Sequence, residues 1–187
     1  MLSSLSSNVI LSKARAMYGR RLTPQNYSEL LNCQTVSEVA GYLKNRTAYG
    51  KILSGINESD IHRGQLENRL RQKMFQEYDS LCRYELSVGE HFAEYLIALN
   101  EIEQIMHSLV LLMAGSPQEY IFNMPMFLNR HTSIDLPSLA KIKNYDDLLQ
   151  ALGRTPYRGL LDPFRPVAGM PIDFTGIETA LYTHLYR

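Results

Sequence analysis

The amino-acid sequence predicts an all-α protein. Apolar residues recur at spacings of three and four along most of the 187 residues, whereas the alternation of apolar and polar residues that marks strands is nearly absent. Capping residues and prolines stand where helices would begin. Two segments in the second half also repeat the pattern of segments in the first half. We therefore expect helical repeat units of roughly 110 residues.

The short helices of the first half are predicted from their caps. A first helix is expected from about Asn8 to Arg20, and Thr23-Pro24 starts a second with a capping residue and a first-turn proline. Thr35 and Glu38 form the capping box of a third, in which their side chains satisfy reciprocal backbone donors. The pair Tyr49-Gly50 is expected to close a helix, with its glycine in the left-handed conformation.

Two long helices are predicted next. The first is expected from about Asp60 to Tyr84, with an apolar stripe made of Leu66, Leu70, Met74, Tyr78 and Leu81. The second, from about Glu90 to Ala114, has a wider stripe and is expected to be the most buried helix. The linker from Ser87 to Gly89 is short enough for an antiparallel hairpin.

The second half opens on another predicted capping box, Ser116 to Glu119, with proline at the first helical position. Pro125 and Pro137 are expected to break the helical pattern that follows. The segment from Asp162 to Pro171 contains three prolines and is expected to be an ordered loop. A last helix is expected from about Asp173.

The internal repeat becomes visible when residues 30–53 are aligned with residues 139–161, with one residue deleted. Glu38 then meets Asp147. The motif Arg-Thr-x-Tyr occurs in both copies, and the helices that follow also correspond through the pairs Leu66 and Ile177, Leu70 and Leu181, and Met74 and Leu185. We assign residues 1–115 to a first helical repeat and residues 116–187 to a second, incomplete repeat.

The second copy stops at Arg187, partway along the helix that corresponds to the long Asp60 to Tyr84 helix. The sequence is therefore expected to be truncated. Ile177, Leu181 and Leu185 are expected to lack part of their cover and to lie against a symmetry mate, another chain or solvent.

The charge balance argues against a nucleic-acid or membrane-surface binder. Nineteen Lys and Arg balance nineteen Asp and Glu, so no net field attracts polyanions. Locally basic residues near the N-terminus are interpreted as a solvated helix face rather than a phosphate-binding patch; they are Lys13, Arg15, Arg20 and Arg21. The longest uninterrupted apolar stretch, Leu109 to Ala114, is shorter than the roughly 20 residues that span a bilayer. Two cysteines and no secretion signal favour a reducing, cytosolic compartment.

The sequence contains no constellation of reactive side chains. Gly50-Lys51 lacks the earlier glycine and the following Ser or Thr of a phosphate loop. The histidines have no zinc-ligand spacing and are His62, His91, His107, His131 and His184. His107 is interpreted as a packing histidine. Glu101 and Glu103 are two positions apart and point to different faces of a helix. We predict no catalytic residue, no cofactor and no metal site.

Several segments, in order, resemble the N-terminal part of a known family. They are Arg15-Ala-Met17, Arg20 to Thr23, Tyr27-x-x-Leu30-Leu31, Thr35 to Gly50, Leu66 to Met74, Glu101 to Ile105 and Ile177 to Tyr182. The family is that of the central-stalk protein of rotary ATPases, which is named C in archaeal-type and bacterial V-type enzymes and d in eukaryotic V-ATPases. This chain departs from it in two ways. The family usually has three repeats, whereas this chain has fewer than two. Gln104 stands where the family often has Asn.

The resemblance implies a non-catalytic coupling subunit of a V-type rotary ATPase or ATP synthase. It would be a funnel-shaped helical socket, peripheral to the membrane on its cytoplasmic side, that transmits torque and supports proton or sodium transport. Its partners would be the proteolipid subunits of the membrane rotor ring and the central shaft subunits D and F. No interface residue is assigned.

Two other functions stay open at this point. The repeat alone is compatible with a free helical-repeat adaptor that binds peptide or protein partners. A small enzyme would require a deep pocket that brings His107 together with Glu103 or another carboxylate.

Overall fold

A computed structural model describes residues 2–83, 89–167 and 170–186, and all regular secondary structure in these ranges is helical. The predicted all-α class is confirmed. Short 3₁₀ helices lie at Pro117–Glu119, Met126–Arg130 and Asp162–Phe164. The α-helices are α1 Leu2–Gly19, α2 Pro24–Leu31, α3 Val36–Arg46, α4 Arg63–Cys82, α5 Gly89–Met113, α6 Tyr120–Asn123, α7 Leu136–Leu139, α8 Tyr145–Ala151, α9 Pro156–Leu161 and α10 Phe174–Leu185.

The chain forms two compact units, Met1–Ala93 and Glu94–Arg187. This division reflects compactness in space. The assignment of repeats at residues 115 and 116 concerns similarity within the sequence, and it stays a prediction. Ser87 and Val88 of the predicted hairpin linker lie outside the described residues, and Gly89 is the first residue of α5.

The core of the first unit lies where α3 and α4 meet. Its buried members are Ala40, Leu43, Leu53, Ile61 and Leu66, surrounded by partly buried apolar side chains. Helix α1 also contacts α4, and the Lys13 ammonium donates a hydrogen bond to the Ser80 carbonyl (3.0 Å).

Helix α4 buries two faces, which corrects part of its predicted stripe. Leu66 and Phe75 are 6% and 4% exposed, whereas Met74 is 54% exposed. Nine positions separate Leu66 from Phe75 in the sequence, and at 3.6 residues per turn that spacing places them on opposite sides of the helix. Met74 lies between these sides, so the prediction that it belongs to the buried stripe is wrong.

The helix starts of the first unit follow from local capping. Thr23 Oγ1 accepts from the Asn26 backbone N–H (3.2 Å), and Asn26 Oδ1 accepts from the Thr23 N–H (2.8 Å). Thr35 Oγ1 likewise accepts from the Glu38 N–H (3.1 Å). The Glu38 carboxylate, however, accepts from the Gln34 N–H (2.8 Å), one residue earlier than a capping box predicts.

Gly50 does not adopt the predicted left-handed conformation. Helix α3 already ends at Arg46, and Thr47 after it is extended. The positive-φ glycines among the described residues are Gly55, Gly115 and Gly153. Gly50 is needed for a different reason, because a Cβ atom there would lie 2.6 Å from the Lys44 carbonyl oxygen.

The predicted capping box at Ser116 is also wrong. The Ser116 side chain makes no capping hydrogen bond, and residues 117–119 form a single 3₁₀ turn before α6. Gly115 is left-handed (φ 73°), and the Ser116 N–H bonds to the Leu111 carbonyl (2.9 Å), which closes α5. The Ser116 backbone therefore closes the end of α5. Ser116 also lacks the extended backbone conformation of an N-cap.

Prolines delimit the short helices of the second unit. Helix α6 ends just before Pro125, as expected. Pro137 instead stands in the first turn of α7, where its missing N–H leaves no helical hydrogen bond unmade. The last helix, predicted from about Asp173, begins at Phe174, and Asp173 caps it because its Oδ1 accepts from the Gly176 N–H (2.9 Å). In the proline-rich segment before it, residues 168 and 169 lie outside the described residues.

The apolar stripe of α10 is covered within its own unit. Ile177 and Leu181 are both 0% exposed, and Leu185 is partly buried. Helix α9 contacts α10, and its Leu161 is fully buried as well. The prediction that this stripe lacks cover is therefore wrong for Ile177 and Leu181.

Helix α5 is apolar enough and long enough to cross a bilayer over Glu94–Met113, judged by length and composition only. Half of this segment is buried inside the protein, and Ile102, Ile105 and Leu109 are fully buried. Such burial is the pattern of a core helix.

The two segments that the repeat alignment pairs share local geometry. Asn144 Oδ1 accepts from the Asp147 N–H (2.9 Å), and the Asp147 carboxylate accepts from the Lys143 N–H (2.8 Å). This is the arrangement of Gln34, Thr35 and Glu38 at the start of α3. Buried leucines also coincide, since the pairs Leu43 with Leu152 and Leu53 with Leu161 are all buried. The number of repeats stays a prediction.

The paired threonines of the two copies differ in their hydrogen bonds. Thr47 Oγ1 donates to the Leu43 carbonyl (2.5 Å) and accepts from the Tyr49 N–H (3.2 Å). Thr155 is 8% exposed, and its hydroxyl has no hydrogen-bond partner. In the second copy it is the Thr155 backbone N–H that bonds to a carbonyl one turn earlier, that of Leu152 (3.0 Å).

We expect this difference to reverse the effect of the same substitution. Thr155→Val should leave stability unchanged or raise it by about 1 kcal/mol, because it removes a buried hydroxyl without a partner. Thr47→Val should lower stability by about 1 kcal/mol, because it removes two hydrogen bonds. Urea unfolding of the whole chain, followed by circular dichroism, measures both changes. Equal losses for the two variants would contradict the assignment.

Candidate functional site

The most polar buried region lies along the part of α5 that belongs to the second unit. Glu101 is 6% exposed. Its Oε1 accepts from the Thr132 hydroxyl (2.6 Å) and the Ser133 N–H (3.1 Å), and its Oε2 accepts from the Tyr157 hydroxyl (2.8 Å). One carboxylate therefore joins α5 to the segment before α7 and to α9.

A second buried contact lies one turn further along α5. Tyr120, which is fully buried, donates its hydroxyl hydrogen to Gln104 Oε1 (3.0 Å). The Tyr120 ring centroid lies 5.5 Å from that of His107. Tyr120 thereby fixes α6 against α5. We refer to Glu101, Gln104, Tyr120, Thr132, Ser133 and Tyr157 as the polar lock.

Three buried tyrosines of this unit, Tyr120, Tyr145 and Tyr157, have raised pKa values. Burial raises the pKa of Tyr120. The pKa of Tyr157 is raised mainly by burial. The hydrogen bond to Glu101 and the negative charge of Glu101 raise it further. Burial also raises the pKa of Tyr145 to about 12, and its hydroxyl donates to the Leu161 carbonyl (2.8 Å). All three hydroxyls are uncharged at neutral pH and can serve as fixed hydrogen-bond donors.

The polar lock has the chemistry of a structural junction. Both oxygens of Glu101 are already engaged by protein donors, and the Gln104 oxygen is engaged by Tyr120. A general base needs access to the proton that it removes. Fully satisfied buried polar networks instead rigidify a core and fix the positions of the elements that they join.

The carboxylate pair considered in the sequence is separated as predicted. Glu101 is buried and Glu103 is exposed, so they face different directions. Burial of Glu101 was not predicted, although the sequence contained a signal. Glu101, Ile105 and Leu109 are spaced by four residues and therefore share a face of α5. A charged residue on an apolar stripe indicates a buried polar contact.

The four histidines whose side chains the structure describes differ in burial and in their contacts. His107 is half-buried beside Tyr120. His184 is exposed, and its ring meets the Tyr157 ring edge-on at 6.2 Å. His62 and His131 are exposed, and the side chain of His91 lies outside the described part of the chain. Three surface depressions are lined by described residues alone, and neither His107 nor Glu103 lines any of them.

Within residues 2–83, 89–167 and 170–186, no three His, Cys, Asp or Glu side chains gather as metal ligands would. The two cysteines, Cys33 and Cys82, form no disulfide bond and are partly buried. The described residues thus offer a buried junction and several shallow surface depressions.

Comparison with known proteins places the chain in a family. A family model described as ATP synthase (C/AC39) subunit matches residues 10–187. The C subunit of the A-type ATP synthase of Thermococcus kodakarensis is 23% identical over 177 residues, which is 94% of this chain and 46% of that protein. The chain spans about half the length of this curated relative. No solved structure matches the chain significantly.

The matched region includes every helix from α2 to α10 and the whole polar lock. The family assigned by this match is the one that the sequence segments resemble. The chain belongs to the ATP synthase (C/AC39) subunit family.

Proposed function

We propose that this chain is a non-catalytic coupling subunit of a V-type or A-type rotary ATPase, joining the membrane rotor ring to the central shaft. The observation that carries the proposal is the family match over residues 10–187. The matched relative is named as an ATP synthase subunit. In this role the chain would bind proteolipid subunits of the ring and shaft subunits D and F, on the cytoplasmic side of the membrane.

The packing of the second unit supports a mechanical role. A part that transmits torque must keep its shape under load. Close-packed interiors resist compression, and satisfied buried polar networks limit the movement of the helices that they join. Glu101 ties three segments together through both of its oxygens, and the unit that contains it has many fully buried leucines. Proton or sodium transport would then depend on this chain through coupling, without a reacting group of its own.

Co-purification tests the proposal. The tagged protein, expressed from its own gene and extracted from membranes in mild detergent, should bring down rotor-ring and shaft subunits in fixed stoichiometry, as identified by mass spectrometry. An Arg63→Gln variant, altered at an exposed side chain of α4, should recover the same partners. A destabilised Glu101→Ala variant should recover fewer of them.

Two results would contradict the proposal. One is a stoichiometric complex with unrelated proteins and no rotary ATPase subunit. The other is tight binding of a linear peptide by the isolated chain together with absence of the rotary subunits, which would favour the adaptor function.

A further inference from the structure

The ends of α1 and α3 form a basic depression in the first unit. It has a volume of about 460 Å³. Arg20 and Arg21, which follow α1, and Arg46, the last residue of α3, line it together with Asn26, Asn45 and Thr47. No acidic residue lines it. Folding thus adds Arg46 to a pair of arginines that, in sequence, look like part of a solvated helix face.

Local contacts orient two of these arginines. Arg20 Nε donates to the Ala16 carbonyl (3.3 Å), and Arg21 Nη1 donates to the Tyr18 carbonyl (3.0 Å). The Arg21 guanidinium also lies over the Tyr18 ring, 3.6 Å from its centroid, which is a cation–π contact. A guanidinium has several N–H donors in a planar fork. Each of these two arginines therefore keeps N–H donors that no acceptor in the described part of the chain uses.

The positive charge of the depression is not neutralised by the described residues. None of the three arginines is within ion-pair distance of a described carboxylate. Arg46 and Asn45 also line an adjacent depression that contains three glutamates. Glu58 pairs with Lys44 (3.0 Å), whereas Glu29 and Glu38 accept from uncharged donors, the Gln25 amide (3.0 Å) and the Gln34 N–H (2.8 Å).

The carboxyl ends of the two helices offset only part of the positive charge of the arginines. The carboxyl end of a helix has a partial negative charge of roughly half a unit. The ends of α1 and α3 together therefore offset about one of the three positive charges. The depression itself is lined by three guanidiniums and no carboxylate, so it stays positively charged, and a phosphate group near neutral pH has the opposite charge.

We propose that the depression formed by Arg20, Arg21 and Arg46 binds a phosphate group. Guanidinium forks match phosphate oxygens in a bidentate manner, and two or more forks can hold one tetrahedral anion from different sides. The phosphate can belong to a phospholipid headgroup or to a small soluble anion, since both present the same oxygens. The proposal concerns the chain alone and does not depend on its place in a rotary ATPase.

Two binding assays on the whole chain test the proposal, one with soluble phosphate anions and one with lipid vesicles. Inorganic phosphate and pyrophosphate are titrated in a calorimeter at low salt. Vesicles of phosphatidylcholine with phosphatidylglycerol are compared with pure phosphatidylcholine vesicles in a sedimentation assay. We expect binding in at least one arm, weakened by added salt. Binding to anionic vesicles alone assigns a lipid headgroup, and binding to the soluble anions assigns a small phosphate.

A double variant and a matched control locate the site. Arg20→Gln with Arg46→Gln should weaken binding by about tenfold or more, because phosphate contacts by arginine dominate such affinities. Arg154→Gln with Arg158→Gln removes the same charge at two exposed arginines of the second unit and should leave affinity within about twofold. All four side chains are exposed, so equal thermal melts should show that both variants fold. Absence of binding in both arms, or equal losses in both variants, would overturn the proposal.

Discussion

Replacement of Glu101 by alanine is expected to lower the free energy of unfolding by about 2 kcal/mol or more. The change removes the acceptor of three donors, namely the buried Tyr157 hydroxyl, the partly buried Thr132 hydroxyl and the Ser133 N–H. An unsatisfied buried donor costs about 1–3 kcal/mol, and the two donors near the surface cost less because water can replace Glu101 there. Urea unfolding of the whole chain, followed by circular dichroism, measures the loss.

Glu103→Ala is the control for this effect. Glu103 is on the same helix, two positions away, and is exposed. Its removal should change stability by no more than about 0.5 kcal/mol. Glu101→Gln should have an intermediate effect, because an amide retains one acceptor oxygen but presents an NH₂ group to a donor. Similar losses for Glu101→Ala and Glu103→Ala would contradict the structural role of the polar lock.

Leu181→Ala is expected to lower the free energy of unfolding by about 2–5 kcal/mol. Leu181 is 0% exposed within α10, so truncation removes buried methyl groups and leaves a cavity. Leu31→Ala makes the same chemical change at the end of α2, where the side chain is 86% exposed.

The Leu31 variant should differ from the parent chain by about 0.5 kcal/mol or less. Thermal and urea unfolding compare the two variants directly. A small effect at Leu181, similar to that at Leu31, would mean that α10 is not packed within its own unit in solution.

Helix starts were predictable where the cap is local. Thr23, Thr35 and Asp173 each accept a hydrogen bond from a backbone N–H three residues later, so a short stretch of sequence contains all the partners. Ser116 has the same local pattern but fails as a cap, because the preceding Gly115 turn recruits its backbone to close α5. The prediction of a left-handed Gly50 is wrong, because the close contact that requires glycine there is with the Lys44 carbonyl, which the local sequence pattern does not reveal.

Burial was harder to predict because it depends on distant partners. The donors to Glu101 come from Thr132, Ser133 and Tyr157, which lie 31 to 56 residues away in sequence. Met74 and Phe75 are neighbours in sequence, and only the packing of α4 on two sides decides which of them is buried. The basic depression has the same origin, since Arg46 joins Arg20 and Arg21 only after α3 folds back towards the end of α1.

The polar lock and the proposed phosphate site would serve the coupling function in different ways. The polar lock would maintain the geometry of the second unit under load. A phosphate site on the first unit, if its ligand is a lipid headgroup, would place that surface beside a membrane. Neither contribution requires a reactive side chain, which agrees with a subunit whose task is mechanical.

ATP-driven ion transport tests the central claim most directly. Membrane vesicles from cells that lack the gene for this protein, and from cells complemented with it, are compared for ATP hydrolysis and for ATP-driven ion uptake. If the protein couples the shaft to the rotor ring, the deletion should abolish uptake through the rotary ATPase, and complementation should restore it. Undiminished ATP-driven uptake in the deletion strain would contradict the proposed function.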